Sequence, residues 1–309
     1  MTNPISNNTR IIKSPLNYIG GKYKLLNQIT PLFPNKINTF IDLFAGGCNV
    51  GININANKII LNDNLTYLIE LFKVFKNDDT ESIINHIENR IDKFQLSQIN
   101  EEGYKKFREF YNETKLPLDL FVLIAFSFNH QIRFNNSHKF NNPFGKNRSS
   151  FNNNMKNNLI NFISKLQNGN FDLKNQSFEN FDFSQLSKND FVYCDPPYLI
   201  TTGSYNDGKR GFKGWSEKEE IALLNILDDL ESKNIKFALS NVIEHKGKEN
   251  FLLKDWLSNR AYTLNYLDKD YANSSYQTKD RDKKASIEVL ITNYKPSTIK
   301  NKQPSLFDL

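Results

Sequence analysis

The stretch that most constrains this chain is an apolar strand, 191–194, that runs directly into Asp195, Pro196, Pro197 and Tyr198. Proline has no N–H and a fixed φ, so the strand cannot continue through the proline pair. The chain therefore leaves the sheet at a strand's carboxyl end, where open α/β sheets place ligand sites. Asp195 offers a carboxylate there, Pro196 a carbonyl and Tyr198 a ring face, which suit a planar group with an exocyclic NH2. The alternative is an ordinary turn, because Asp and Pro are common turn formers.

Composition limits the class of protein. The chain has 309 residues, a formal net charge of +6 and two cysteines, Cys48 and Cys194, far apart in the sequence. Their spacing gives neither a metal ligand set nor a disulfide framework, and the basic excess is compatible with a polyanionic partner. The polar first residues contain no signal peptide, and the longest apolar run, 118–128, is too short to span a bilayer. We therefore expect a cytoplasmic protein without a metal.

Three early stretches have the order of a nucleotide-binding unit. The segment 39–44 reads as an apolar strand that enters a Gly46-Gly47 turn, and 58–63 reads as a second strand that ends in an acid. A strand, a glycine turn and a helix open a Rossmann-like unit, and such folds bind ribose hydroxyls with the second-strand acid. Upstream, a Gly20-Gly21 pair precedes a helical pattern over 25–32. Taken singly, each stretch is equally explained by a plain loop or a capped strand end.

A helical block follows, from about 65 to 167, in which strand signals vanish. Apolar residues recur at helical spacing over 68–75, 83–91 and 104–111, before the buried run at 118–128. Two loops in this block, 128–135 and 140–148, mix amides, cations and aromatic rings. These side chains read base edges, hold phosphates and wedge between bases. A polar surface hairpin is the alternative.

Strand signals then return, and they predict an α/β fold. The predicted strands are 171–173, 191–194, 237–240, 262–266 and 287–294. Ser216 and Glu219 form a capping box that starts a helix through 221–230, and the loop 199–214 is long enough to act as a lid. Alternating strands and helices predict a mixed, mainly parallel sheet with helices on both faces, and the helical block is an insertion in it.

Over nearly all of residues 14–295 the chain resembles the Dam-like DNA adenine N6-methyltransferases. The segments that carry the resemblance are Tyr18-Ile19-Gly20-Gly21-Lys22, Asp42 to Gly47, Asn62-Asp63, Gln176 to Glu179, Asp195 to Tyr198 and Ile287 to Tyr294. The resemblance implies a Rossmann-like mixed seven-stranded sheet in a catalytic domain of residues 1–66 and 168–295. Residues 67–167 would form a mainly helical DNA-recognition insertion, and 296–309 a flexible tail.

The resemblance also implies a reaction: methyl transfer from S-adenosylmethionine to N6 of an adenine flipped out of duplex DNA. The catalytic residues would be Asp195, Pro196, Pro197, Tyr198 and Lys22. Those that bind the cofactor would be Tyr18, Gly20, Lys22, Asp42, Phe44, Ala45, Gly46, Gly47, Asp63, Ser177, Phe178 and Asp195. Asp195 and the Pro196 carbonyl would accept the N6 hydrogens and return the nitrogen lone pair toward the sulfonium methyl.

The DNA-binding residues implied by the resemblance lie in the two polar loops. They are Phe128, a candidate wedge, with Asn129, Gln131, Arg133, Asn135, Pro143, Lys146 and Arg148. Tyr18 replaces the commoner Trp, and Gln131 stands where GATC-reading relatives usually carry an apolar residue, which argues against a GATC site. The segments His130-Gln131-Ile132-Arg133 and Lys146-Asn147-Arg148 resemble restriction-associated relatives that read other sites containing an adenine, such as CATG. Rival interpretations are methylation of RNA, an inactive DNA-binding protein, and methylation of amines or protein amides, whose enzymes usually carry Asn at the position of Asp195.

The end of the chain gives a separate signal. Gln303-Pro304-Ser305-Leu306-Phe307 resembles the short peptides by which bacterial DNA-processing enzymes dock on the replication sliding clamp. In that interpretation the amide anchors the rim of a pocket and the Leu-Phe pair fills it. An inert or self-packed tail is the alternative.

Overall fold

The computed structural model describes residues 11–18, 20–201, 214–268 and 286–297. Its strands are β1 (Thr39–Asp42), β2 (Lys58–Asn62), β3 (Phe171–Lys174), β4 (Phe191–Cys194), β5 (Lys236–His245), β6 (Lys248–Glu249), β7 (Thr263–Leu267) and β8 (Ser286–Thr292). Its helices are α1 (Leu26–Ile29), α2 (Thr66–Asn77), α3 (Thr80–Phe94), α4 (Glu101–Thr114), α5 (Pro117–Phe126), α6 (Asn153–Asn168), α7 (Glu217–Ser232) and α8 (Phe251–Ser258).

The strands form one mixed sheet in the order β3-β2-β1-β4-β5-β8-β7. The first five strands of this order are parallel, whereas β8 runs antiparallel to both β5 and β7, which confirms the prediction of a mixed, mainly parallel sheet. The prediction of seven strands missed β6, which pairs with the end of β5. Lys246 and Gly247 both have positive φ, 49° and 75°, and such a two-residue turn matches the twist of a hairpin.

Strands β2, β1 and β4 are neighbours in the sheet and end side by side. Because β1 pairs in parallel with both β2 and β4, their carboxyl ends meet at one edge of the sheet. β1 ends two residues before the predicted strand end, since the Ala45 N–H donates to the Asn62 carbonyl at 2.8 Å and the chain turns toward β2. The helix predicted after the glycine turn is wrong: a 3₁₀ turn, Gly51–Asn53, stands there.

The helix predicted over 25–32 is divided into three short turns. A 3₁₀ turn, Lys22–Leu25, leads into the four-residue α1, and a second 3₁₀ turn, Thr30–Leu32, follows it. Pro31 lacks an N–H and cannot sit in a helix interior, so the predicted single helix ends before it. The same apolar side chains are nevertheless buried against the sheet.

The insertion consists of helices α2 to α6, between β2 and β3. The three periodic segments fall in α2, α3 and α4, and the buried run is α5, so these predictions are confirmed. Asp79, Asn100 and Asn152 cap the amino ends of α3, α4 and α6 with their side-chain oxygens. All of these helices contribute to one apolar cluster with the face of the sheet that carries Phe40 and Phe191.

Helices α7 and α8 cover the opposite face. Ser216 and Glu219 form the predicted capping box at the start of α7. Side chains alternate along the strands, so Ile41 and Val192 join the second apolar cluster with α7 and α8. The prediction of helices on both faces is confirmed.

Some predicted features lie outside the described residues. They are Ile19, the centre of the predicted lid (202–213), and the clamp-like peptide Gln303–Phe307. Within the described ranges, none of the helices has the length and apolar character needed to cross a bilayer.

Candidate active site

The carboxyl ends of β1, β2 and β4 open into a cavity of about 740 Å³. All the residues that the sequence predicted to be catalytic or to bind the cofactor line it. They are Tyr18, Gly20, Lys22, Asp42, Phe44, Ala45, Gly46, Gly47, Asp63, Ser177, Phe178, Asp195, Pro196, Pro197 and Tyr198. Two residues from the predicted DNA-binding set, Gln131 and Arg133, line the same cavity.

The glycine turn forms one wall of the cavity. Gly46 has a φ of +48°, a backbone conformation that residues with a side chain rarely adopt, and its N–H donates to Asp63 Oδ2 at 2.8 Å. A Cβ at this position would lie 2.9 Å from the ring of Tyr18. The missing side chain therefore lets the turn and the Tyr18 ring approach closely beside the cavity.

Two buried carboxylates stand behind the turn. Asp63 accepts from the backbone N–H groups of Gly46 and Leu65, and burial raises its pKa despite these bonds. Asp42 Oδ2 accepts from the Gly51 N–H at 3.0 Å, whereas its buried Oδ1 has no hydrogen-bond partner among the described residues. Burial raises the pKa of Asp42 to about 8, with a further rise from Asp195 and Asp63.

An aromatic wall, defined as Phe44, Phe178 and Trp215, closes another side. The three ring centroids lie 5.3 to 5.7 Å apart. Trp215 Nε1 donates to Glu220 Oε2 at 2.6 Å, so the indole is fixed in place. Sequence reasoning missed Trp215, which directly precedes the capping box that it did identify.

Asp195, which directly follows β4, contacts Lys22, a residue from the amino-terminal part of the chain. Lys22 Nζ lies 2.6 Å from Asp195 Oδ1 and donates to the Gly20 carbonyl at 3.1 Å. The Tyr198 hydroxyl also donates to Asp195 Oδ1, at 3.1 Å. Burial raises the pKa of Asp195, and the Lys22 ammonium opposes that rise.

A second carboxylate, Glu288 on β8, completes this group, and sequence reasoning missed it. Glu288 Oε1 lies 3.0 Å from the Tyr198 hydroxyl and 3.6 Å from Lys22 Nζ. Its side chain is 1% exposed, and that of Lys22 is 3% exposed. An acid between Ile287 and Val289 in an apolar strand was the available signal. We call Lys22, Asp195, Tyr198 and Glu288 the catalytic cluster.

The predicted DNA-binding residues lie in one segment, 128–148, which we call the recognition loop. Phe128 is 40% exposed, and the Arg148 guanidinium lies 4.9 Å from its ring centroid. Asn129 has a φ of +55°, and its carbonyl accepts from Asn17 Nδ2 at 2.8 Å, which joins the loop to the segment beside Tyr18. The exposed Arg133 and half-buried Gln131 lie next to the cavity.

The remaining predicted DNA-binding residues lie outside the cavity lining. Asn135 Oδ1 accepts from the backbone N–H groups of Ser137 and Lys139, so this side chain holds a turn. The Pro143 carbonyl accepts from the Phe128 N–H at 2.7 Å, and Lys146 is exposed. Among the described residues, no group of His, Cys, Asp and Glu side chains has an arrangement that could hold a metal ion.

Comparison with known proteins identifies relatives along most of the chain. The family model for D12 class N6 adenine-specific DNA methyltransferases matches residues 18–295. The modification methylase StsI of Streptococcus sanguinis is 56% identical over 294 residues, which cover 95% of this chain and 45% of that protein. The type II methyltransferase M.FokI of Planomicrobium okeanokoites is 55% identical over 304 residues, 95% of this chain and 46% of that protein.

A further relative is covered over more of its own length. The DNA adenine methylase of Haemophilus influenzae is 30% identical over 238 residues, which cover 73% of this chain and 78% of that protein. By contrast, the chain spans about half the length of StsI and M.FokI.

Proposed function

Because the chain belongs to the D12 class N6 adenine-specific DNA methyltransferases, we propose that it methylates N6 of an adenine in duplex DNA with S-adenosylmethionine as the methyl donor. One observation carries the proposal: Asp195, Pro196 and Tyr198 follow β4 into the same cavity as the glycine turn after β1. The names of StsI and M.FokI support a role in a restriction-modification system.

The cavity residues fit this cofactor. The missing side chain of Gly46 lets the Tyr18 ring pack against the glycine turn in the wall of the cavity. The Asp63 carboxylate accepts the backbone N–H groups of Gly46, Asn64 and Leu65, and a carboxylate has acceptor capacity beyond these three for a ribose hydroxyl group. The aromatic wall offers an apolar surface to a purine ring. When bound, S-adenosylmethionine supplies an electrophilic methyl group on a sulfonium sulfur.

Asp195 and Pro196 would activate the target amino group. The N6 lone pair of adenine is delocalised into the ring, which makes the nitrogen a poor nucleophile. Asp195 Oδ2, to which none of the described residues donates, and the Pro196 carbonyl would accept the two N6 hydrogens. A nitrogen that is held in this way becomes pyramidal and directs its lone pair at the methyl group, so position and electrostatics supply most of the rate.

Tyr198 would hold the flipped base. Its hydroxyl is anchored on the Asp195 and Glu288 carboxylates, which leaves its ring to stack on adenine. Burial and these carboxylates keep the pKa of Tyr198 well above its usual value, so the hydroxyl stays protonated.

The recognition loop would select the site and open the duplex. Gln131 and Arg133 lie beside the cavity into which the base would turn, so they are placed to read neighbouring base edges. The exposed ring of Phe128 would fill the gap in the stack, and the exposed cations Lys146 and Arg148 would hold phosphates.

The test is product analysis with the whole chain. Duplex DNA, single-stranded RNA and a protein substrate are each incubated with labelled S-adenosylmethionine, and nucleosides from the DNA are separated by mass spectrometry. We expect N6-methyladenine in duplex DNA. Asp195→Ala should lower turnover by about 10³-fold or more because it removes a preorganised acceptor, while calorimetry still detects cofactor binding. Asp182→Ala, at an exposed position, is the control.

The outcomes separate the rival functions. Cofactor binding without turnover on any substrate would identify an inactive DNA-binding protein, and label in RNA or protein alone would replace the proposed substrate. A near-normal rate for Asp195→Ala would overturn the mechanism. Docking of Gln303–Phe307 on a sliding clamp remains a separate prediction from the sequence.

A further inference from the structure

The catalytic cluster contains one more carboxylate than the chemistry of Asp195 requires. Lys22 lies between two acids, at 2.6 Å from Asp195 Oδ1 and at 3.6 Å from Glu288 Oε1. Tyr198 bridges the same two acids, at 3.1 and 3.0 Å. Burial of a carboxylate is unfavourable unless it is paired, so a second acid at this position needs a reason.

The two oxygens of Asp195 have different environments. Oδ1 accepts from both Lys22 and Tyr198, whereas none of the described residues donates to Oδ2. Glu288 contacts both of the groups that hold Oδ1 and is itself fixed in β8, between β5 and β7. Its position therefore determines the orientation in which Asp195 presents Oδ2 to the cavity.

We propose that Glu288 is a positioning residue that holds Lys22 and Tyr198, and that its carboxylate stays beside Lys22 when Asp195 takes a proton from the methylated amino group. This inference rests on the proposed function, because the proton comes from the N6 nitrogen. It assigns to Glu288 a role in the reaction that its place in an apolar strand does not by itself indicate.

The step balances in atoms and charge. The N6 lone pair forms the bond to the methyl carbon while the carbon–sulfur bond breaks and its electron pair remains on sulfur. The nitrogen, now cationic, gives one proton to Asp195 Oδ2 and becomes neutral. Lys22 takes no part in this proton transfer. Neutral Asp195 no longer offers a full charge, and a shift of about 1 Å brings Lys22 Nζ into charge-assisted hydrogen-bonding range of Glu288.

During this transfer Glu288 keeps a carboxylate 3.6 Å from the buried ammonium, whereas Glu288→Gln removes that charge. Lys22 is 3% exposed, so water cannot replace a lost carboxylate. The ammonium would then favour the ionised form of Asp195 and oppose the transfer of the proton. Charged and titratable groups that act on Asp195 or are acted on by it come from several elements: Lys22, Glu288, Tyr198, Tyr193 and Asp42.

The direction of the Glu288 effect follows from its charge. The Glu288 carboxylate raises the pKa of Asp195, whereas Lys22 lowers it. Activity requires ionised Asp195 as the acceptor, which gives an acid limb in the pH–rate profile. Glu288→Gln keeps the side-chain shape and an oxygen for Tyr198 but removes the charge. It should therefore move the acid limb to lower pH.

The experiment measures single-turnover methylation of duplex DNA for the wild-type chain, Glu288→Gln and Glu288→Asp from pH 5 to 9. We expect Glu288→Gln to be about 10- to 100-fold slower, with the KM for DNA and the cofactor Kd within about twofold of wild type. Glu288→Asp should restore the acid limb to its wild-type position. Glu244→Gln makes the same chemical change on β5, at the position paired with Ile287, and should match wild type.

A second readout does not depend on turnover. Carbon-13 NMR titration of the aspartate carboxyl groups, with the Asp195 signal assigned by Asp195→Asn, should give a lower midpoint for Asp195 in Glu288→Gln. An unchanged rate and acid limb, an unchanged midpoint, or an acid limb that moves to higher pH would overturn the role of Glu288. If the wild-type chain does not methylate DNA, the proposed function fails, and the reaction role assigned to Glu288 fails with it. The titration then shows whether Glu288 still acts on the Asp195 carboxyl.

Discussion

The catalytic cluster and the recognition loop lie beside the same cavity but are built in opposite ways. The cluster brings together side chains from three distant parts of the chain, around residues 22, 195 and 288, and Lys22 and Glu288 are almost completely buried. The recognition loop is continuous in the sequence, and bonds within it, such as those of Asn142 Nδ2 to the Phe128 and Gln131 carbonyls, contribute to its shape. Its cations remain exposed.

This difference predicts different effects of substitutions in the two regions. In the cavity each buried charge depends on its neighbours, so a substitution changes folding stability and chemistry together. In the loop the backbone is held by hydrogen bonds to side chains that point inward, which leaves Arg133, Lys146 and Arg148 available to a ligand. A substitution of such an exposed side chain should change binding while the free energy of unfolding stays within about 0.5 kcal/mol.

The largest effect on stability should come from Asp42→Asn. The pKa of Asp42 is about 8 in the folded chain, above its ordinary value, so the native state binds a proton that the unfolded state releases. The resulting stability is fully present below the ordinary pKa and is lost as the pH rises through about 8. Asparagine carries no charge and keeps an acceptor for the Gly51 N–H. At pH 9 the Asp42→Asn variant should therefore have a higher free energy of unfolding than wild type. Its advantage over wild type should be larger at pH 9 than at pH 5 by on the order of 3 kcal/mol.

Urea unfolding at pH 5 and pH 9 measures this difference. Asp255→Asn, at an exposed position of α8, is the control and should respond equally at the two pH values. If Asp42→Asn gave the same change in unfolding free energy at both pH values, the carboxyl would be ionised throughout the range, and the cavity would resemble the exposed loop in its electrostatics.

Substitutions of exposed cations in the recognition loop should change DNA binding rather than stability. Arg133→Ala should cost about 1–3 kcal/mol of DNA affinity and relax the preference at one base position, because Arg133 lies beside the cavity. Arg148→Ala should weaken all sequences alike and reduce the slope of log K against log salt by about 0.9. Binding to a set of duplexes with single base changes, at several salt concentrations, distinguishes the two. Equal weakening of all sequences by Arg133→Ala would make it a phosphate contact.

Local sequence chemistry predicted the strand ends at the cavity, and the family resemblance implied the other residues that line it. Each strand end is marked in the sequence: by the proline pair after β4, by the glycines after β1 and by the acid after β2. Parallel pairing of the strands brings those ends together. The predicted cofactor and catalytic residues therefore line one cavity. Strand and helix positions were predictable for the same reason: periodic burial is a property of each segment.

The remaining parts depend on contacts between distant segments. Glu288 meets Tyr198 across 90 positions, and nothing in the β8 sequence specifies that partner. The 3₁₀ turn at Gly51–Asn53 replaces a helix where Asp42, in β1, accepts the Gly51 N–H. Trp215 lines the cavity because its ring packs on Phe44 and Phe178, which lie far from it in the sequence.

The smallest effect is expected for Asn135, whose side chain either contacts DNA or stabilises the recognition loop. The sequence resemblance predicts a DNA contact, whereas Asn135 Oδ1 accepts from the N–H groups of Ser137 and Lys139, at 3.0 and 2.9 Å. Side-chain bonds of this kind stabilise turns. Asn135→Ala should therefore lower the free energy of unfolding by about 1 kcal/mol and weaken binding to all duplexes equally, with an unchanged salt slope. Asn136→Ala, at the exposed neighbouring position, should leave stability unchanged. A change of preference at a single base for Asn135→Ala, with wild-type stability, would instead make this amide a base reader.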